Sequence, residues 1–153
     1  MFISALEEIL NGNKGLFKGL HDSLRNQDKK LLGEISNHAF SQIPYDLSQK
    51  DNEQFYHAIV HLMFSLLGVY FQSEVHTKKG RADALVEFED GVYCLEFKLD
   101  RSAAEALDQI RERGYTEKYR GSGKTIHHIG INFSSEMKEV EGILWERQLY
   151  KFI

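Results

Sequence analysis

Apolar residues recur at helical spacing over Ser4–Leu10, Leu16–Arg25 and Lys29–Gln42, separated by Asn11-Gly12-Asn13 and by Asn26 to Asp28. This predicts three short amphipathic helices, better suited to packing against a partner than to chemistry. Ile43-Pro44-Tyr45 holds the only proline and predicts a break, because a residue before proline avoids the helical region. Ser48 to Asp51 can cap a longer helix reaching about Tyr70. A short strand around Ser73–Thr77 and a turn at Lys78-Lys79-Gly80 should follow. Two strand-like runs, Arg81–Glu89 and Val92–Leu99, flank Asp90-Gly91, a strong hairpin signal. Ala103–Tyr119 reads as a helix with Ser102 near its start, Gly121–Gly123 as a loop and Thr125–Phe133 as a strand. Val140–Leu149 fits a strand or a helix equally. From Asp51 onward the order is helix, three strands, helix, strand. The expected class is α/β, with a helical extension over residues 1–45 and a domain over residues 46–153.

A two-residue Asp90-Gly91 loop would set Glu89 against Val92, Leu85 against Glu96 and Asp83 against Lys98. Side chains alternate along a strand. One face then carries Ala82, Ala84, Val86, Phe88, Tyr93, Leu95, Phe97 and Leu99, all apolar or aromatic, and must be core. The other gathers Arg81, Asp83, Glu96 and Lys98 at the end far from the turn, within cross-strand reach of one another. Two readings stand side by side. One is a solvated face with an Asp83–Lys98 ion pair. The other is a site for a hard divalent ion such as Mg²⁺, which takes oxygen ligands and can acidify a bound water. In that second reading Lys98 holds the water or stabilises charge developing on a phosphate.

The net charge of −4 on 153 residues excludes coating of nucleic acid by bulk charge and leaves room for a local basic strip. The single cysteine, Cys94, excludes an intrachain disulfide and fits a reducing compartment. Met1–Leu10 has no basic start and carries Glu7 and Glu8, unlike a secretory signal. The most apolar run, Phe55–Phe71, is shorter than the roughly 20 residues of a membrane span and contains His57 and His61. A buried helix and a cytoplasmic protein are expected.

Gly80-Arg81-Ala82-Asp83 followed by Glu96-Phe97-Lys98 resembles the PD-(D/E)XK nuclease superfamily, with Ala82 in place of the usual proline. More closely, the chain resembles the nuclease-fold domain found at the C-terminus of AAA-ATPase-like proteins. The matching pieces are Ile43-Pro44-Tyr45, Glu53 with Tyr56-His57, Glu74 with Gly80 to Asp83, Glu96-Phe97-Lys98, and Ala106 to Ile110 with Tyr115. The resemblance implies a restriction-endonuclease-like core of helix, three-strand meander, helix and strand. It implies a Mg²⁺- or Mn²⁺-dependent nuclease acting on DNA or RNA. It assigns metal binding to Asp83, Glu96 and Glu53, catalysis to these with Lys98 and Gln109, and a substrate or packing contact to Tyr115. Glu74 would support the site or pair with Arg81. No ATP-binding loop is present in this sequence, so the chain would be a stand-alone version or a fragment of such a protein.

Glu53, His57 and His61 recur every four residues and share one helix face. The histidines lack the intervening glutamate of a His-Glu-x-x-His zinc site, and no third ligand is evident. His57 beside Glu53 suits a supporting role. His127 and His128 should point to opposite faces of a strand, and Cys94 should fill space. Lys78, Lys79, Arg81 and Arg111, with Arg101, Arg113, Lys118, Arg120 and Lys124, can border the site and neutralise phosphates. The alternative function is a non-catalytic module that keeps the fold for binding or regulation, docking a protein partner or a second copy through the N-terminal helices.

Overall fold

The computed structural model describes residues 14–42, 53–71, 74–76 and 82–148. The expected helix over Ser4–Leu10, the break at Pro44, the cap before Asp51 and the turn at Lys78-Lys79-Gly80 lie outside the described residues.

Helices α1 (Lys14–Arg25) and α2 (Lys29–Ser41) come first. Asp28 caps α2 by accepting the Leu31 N–H at 3.0 Å. Leu16, Phe17, Leu20 and Leu24 of α1, and Leu32, Ala39 and Phe40 of α2, are buried, as their helical spacing requires. Helix α3 (Glu53–Phe71) buries Tyr56, Ile59, Val60, Met63, Phe64 and Leu67. The three helices share one core with the sheet, so the apolar sides of α1 and α2 are taken up within this chain. Among the described residues no helix is long and apolar enough to cross a membrane.

The sheet has five strands in chain order across it: β1 (Glu74–His76), β2 (Ala84–Glu87), β3 (Gly91–Leu99), β4 (Thr125–Ser134) and β5 (Glu139–Gln148). The first three form an antiparallel meander. β3 and β4 are parallel, which requires a crossover, here made by α4 (Ala103–Arg113). The tail that sequence left open between helix and strand is the antiparallel edge strand β5.

Helices α1 to α3 cover one face of the sheet, over Ala84, Val86, Tyr93, Leu95, Phe97, Ile129, Ile131 and Phe133. α4 covers the other, with Ile110 against Cys94. α4 lies close to β4 because residue 130 is glycine: a Cβ there would fall 2.4 Å from the Ala103 carbonyl oxygen. Ser102 caps α4 through the Glu105 N–H at 3.0 Å. The helix stops at Arg113, short of the expected Tyr119, because Gly114 takes the left-handed conformation at φ 61°. Glu117–Tyr119 is a separate turn of 3₁₀ helix.

The hairpin differs from expectation in register. The Phe88 N–H donates to the Gly91 carbonyl at 2.8 Å, and Glu87 pairs with Val92, so the two loop residues are Glu89 and Asp90. Gly91 is already a strand residue. A Cβ on it would lie 2.9 Å from Thr125 Oγ1, so its lack of a side chain admits β4 rather than making the turn. Leu85 pairs with Cys94 instead of Glu96, and the same register continued brings Asp83 to Glu96 instead of Lys98.

Candidate active site

Strand β2 begins only at Ala84, and the alternation of faces breaks just before it. Ala82 packs with Cys94 and Ile110 on the α4 side, not in the main core as expected. The Asp83 carboxylate turns the other way, toward α3. Its Oδ1 meets His57 Nδ1 and lies 3.1 Å from His61 Nε2. Its Oδ2 accepts the Phe97 N–H at 2.7 Å, a bond the sheet ladder would otherwise make. Asp83 and Glu96 therefore do not share a face. They meet at the seam of β2 and β3, where the Asp83 N–H points at Glu96 Oε2 from 3.4 Å.

On the α4 side Gln109 joins three groups. Lys98 Nζ donates to its Oε1 at 2.6 Å, and its Nε2 donates to Glu96 Oε1 at 3.0 Å and to the Tyr115 hydroxyl at 3.3 Å. The turn at Gly114 returns Tyr115 to Gln109, although helical continuation would have separated them. Glu53 stands one step away: its Oε1 lies 3.3 Å from His57 Nε2.

The electrostatics follow from burial and pairing. Burial opposes ionisation of Asp83, but its hydrogen bonds with His57, His61 and the Phe97 N–H outweigh that and hold its pKa below the usual value. For Glu96 the compensation falls short. Burial, reinforced by the Asp83 charge, pushes it up to about 8 against the pull of Lys98. For His57, burial disfavours the charged form, and Asp83 and Glu53 together overcome it, so its pKa is raised.

The structure thus gathers Asp83, Glu96, Lys98, Gln109 and Tyr115, with Glu53 reaching the cluster through His57. Arg111 is held elsewhere: its guanidinium contacts Glu146 at 2.6 and 3.0 Å and Asp108 at 2.9 Å. Lys124 pairs with Glu87 at 2.6 Å. Lys78, Lys79 and Arg81 lie outside the described residues, as does the Glu74 side chain. The Cys94 thiol is buried and its pKa strongly raised by burial and then by Glu96 and Asp83, which suits packing and not nucleophilic attack. His127 contacts Tyr93 and Trp145 in the main core, while His128 meets Thr116 on the other side of the sheet.

One grouping escaped the sequence. His57 and His61 have a third potential ligand, Asp83, and the three ligand atoms lie within 4.8 Å of one another. The i, i+4 spacing was visible. Assigning Asp83 to the face opposite α3 hid its partner.

A mixed α/β fold with an Asp just before one strand and a Glu-x-Lys set on the next, meeting at the sheet seam, defines a class that direct comparison supports. The family model of the PD-(D/E)XK nuclease superfamily matches residues 51–142, and the chain belongs to that superfamily. The chain is also 33% identical over 133 residues to a protein of Azotobacter chroococcum mcd 1, the "uncharacterized protein in vnfD 5'region". That match covers 83% of this chain and 26% of the relative, so the chain spans about a quarter of the relative's length. No solved structure matches the chain.

Proposed function

We propose that this domain is a metal-dependent nuclease that hydrolyses phosphodiester bonds of DNA, or of RNA. The observation that carries the reading is the clasp at the β2–β3 seam, in which two buried acids meet beside Lys98. The donor chemistry fits a hard divalent ion of the Mg²⁺ or Mn²⁺ kind. Asp83 and Glu96 offer oxygens, and the raised pKa of Glu96 marks a carboxylate pair short of positive charge. Asp83 and Glu96 would hold the ion, with Glu53 reaching it through His57. Such an ion, when bound, polarises phosphate oxygens and acidifies a water.

The chain's own groups do the rest. Lys98 directs its ammonium into the cluster and stabilises charge growing on the phosphate or holds the attacking water. Gln109 fixes the direction of Lys98 and Glu96 at once, so it acts as a positioning residue. Approach is over the N-terminal half of α3, where the side chains of Glu53, His57 and His61 remain 34%, 22% and 30% exposed. Lys78, Lys79 and Arg81 precede Asp83 in sequence and would meet substrate phosphates; Arg111 would have to exchange Glu146 for a phosphate to join them. A cytoplasmic location and a place within a longer AAA-ATPase-like protein belong to the same reading. The match to only part of a longer relative fits a place within a longer protein and says nothing of an ATPase part.

The test is nicking of supercoiled plasmid by pure protein in Mg²⁺, Mn²⁺ or EDTA. Cleavage should require the metal. It should fall at least ~100-fold in Lys98→Met and in Asp83→Asn, the scale of losing a key electrostatic group. DNA retained on the protein without cleavage in either metal would refute the catalytic reading and favour a binding module.

A further inference from the structure

We propose that His57, His61 and Asp83 form a binding site for one borderline divalent transition ion of the Zn²⁺ class, distinct in ligand chemistry from an Mg²⁺ pocket. Two imidazoles and one carboxylate make a donor set suited to such ions, whereas Mg²⁺ favours oxygen and water.

The geometry points there from several sides. Both histidines come from one face of α3, a turn apart, and both ring nitrogens converge on the same oxygen, Asp83 Oδ1. The His61 Nε2 to Asp83 Oδ1 separation is 3.1 Å. Two ligands bonded to one ion at about 2.0–2.2 Å stand roughly 3–3.6 Å apart, so the His61–Asp83 pair already has ligand spacing, while the His57 ring must draw back from Asp83 to admit the ion. Asp83 is held in place independently, because its other oxygen accepts the Phe97 N–H at 2.7 Å.

The second ring nitrogen of His57 faces Glu53 at 3.3 Å. A carboxylate accepting the outer N–H of a ligating histidine fixes its tautomer and leaves the inner lone pair for the metal. Glu53 then orients His57 and does not bind the ion itself. The partly exposed histidine rings leave a way in for the ion and for a water to complete its coordination. The alternative is a plain histidine–aspartate ion pair, which predicts no metal uptake. The inference shares Asp83 with the nuclease reading but makes no use of Glu96, Lys98 or Gln109, so either can fail alone.

The test is titration of chelator-stripped protein with Co²⁺, followed by its visible absorption bands and by calorimetry, then competition by Zn²⁺ and by Mg²⁺. We expect one Co²⁺ per chain, displaced by Zn²⁺ and not by a large excess of Mg²⁺. His57→Ala and His61→Ala should each weaken binding at least ~10-fold, and Glu53→Gln by roughly 10-fold through the orientation of His57. Circular dichroism checks that each variant folds, and His61→Gln replaces any alanine variant that does not. No uptake by the wild type up to about 1 mM Co²⁺, or uptake undiminished when both histidines are replaced, overturns the inference. Mg²⁺-dependent nicking without Co²⁺ binding would sink this site alone, and Co²⁺ binding without nicking would sink the nuclease reading alone.

Discussion

Replacing Glu96 by glutamine should make the ion-free protein more stable at alkaline pH while removing an acid from the candidate site. Glu96 is buried, and burial together with the Asp83 charge raises its pKa from 4.5 to about 8. The folded protein therefore keeps a proton there that the unfolded chain releases. For a group raised in this way, stability is fully present below pH 4.5 and is lost as pH rises through 8. The whole gap corresponds to about 5 kcal/mol, a ceiling that sharing of charge with Asp83 and local relaxation reduce to about 2–3 kcal/mol. Glutamine keeps an acceptor for the Asp83 N–H and carries no charge, so it avoids the loss, while giving up the bond that Oε1 accepts from Gln109 Nε2.

The assay is urea unfolding of wild type and Glu96→Gln at pH 5, 7 and 9. With a denaturant slope of about 2 kcal/mol per molar, the variant midpoint should exceed the wild type by about 1–1.5 M at pH 9 and differ little at pH 5. Comparing the two proteins cancels the other titrating groups. Mg²⁺ at pH 8 should then stabilise the wild type alone, by about 1.4 kcal/mol at ten times its dissociation constant. Parallel pH curves for the two proteins, or a variant weaker than wild type at pH 9, would refute the view that a strained acid pair occupies the seam.

His127 predicts the opposite slope on the acid side. It stacks on Tyr93 and accepts the Trp145 indole N–H at 3.0 Å, and burial, then Arg147, lowers its pKa to about 4. Stability should hold above pH 6.5 and fall by about 1–2 kcal/mol toward pH 4, with part of that slope absent from thermal melts of His127→Phe. Gly130→Ala should cost at least about 2 kcal/mol in urea unfolding, because its Cβ would strike the backbone of α4 at the Ala103 carbonyl. Gln109→Ala should lower kcat for nicking by roughly 10-fold with KM little changed, since it only positions Lys98 and Glu96. An equal rise in KM would assign Gln109 to substrate binding instead.

The order of elements was legible because most announce themselves locally. Ser102 marks the start of α4, and the apolar spacing of Leu16, Leu20 and Leu24 marks the buried side of α1, whereas the stop at Gly114 was overlooked and the helix carried on to Tyr119. The faces of the hairpin from Ala84 onward were legible for a subtler reason: a register offset of two leaves every side chain on its own side. The register itself was not: Gly91, expected in the turn, is a strand residue packed beside Thr125 of the parallel neighbour, 34 positions away. Nor was the turning of Asp83. Alternation is a property of paired strand, and pairing of β2 to β3 starts one residue too late to govern it. The β5 segment was undecidable for a similar reason, since the edge of β4 that recruits it is a tertiary feature.

The same break in alternation explains how the seam tolerates its charges. A buried acid is costly unless paired or hydrogen-bonded, and two together are costlier. Had Asp83 continued the strand, its carboxylate would have stood on the face of Glu96, with neither histidine in reach. By turning toward α3 it gains His57, His61 and the Phe97 N–H, and its own N–H is left facing Glu96. The backbone thus holds the two acids near each other, and the unrelieved part of the cost falls on Glu96. Apolar residues at positions 83 and 96 would make a more stable sheet. Both acids are instead braced by hydrogen bonds from two helices and a neighbouring strand, a cost to the fold that the proposed site accounts for.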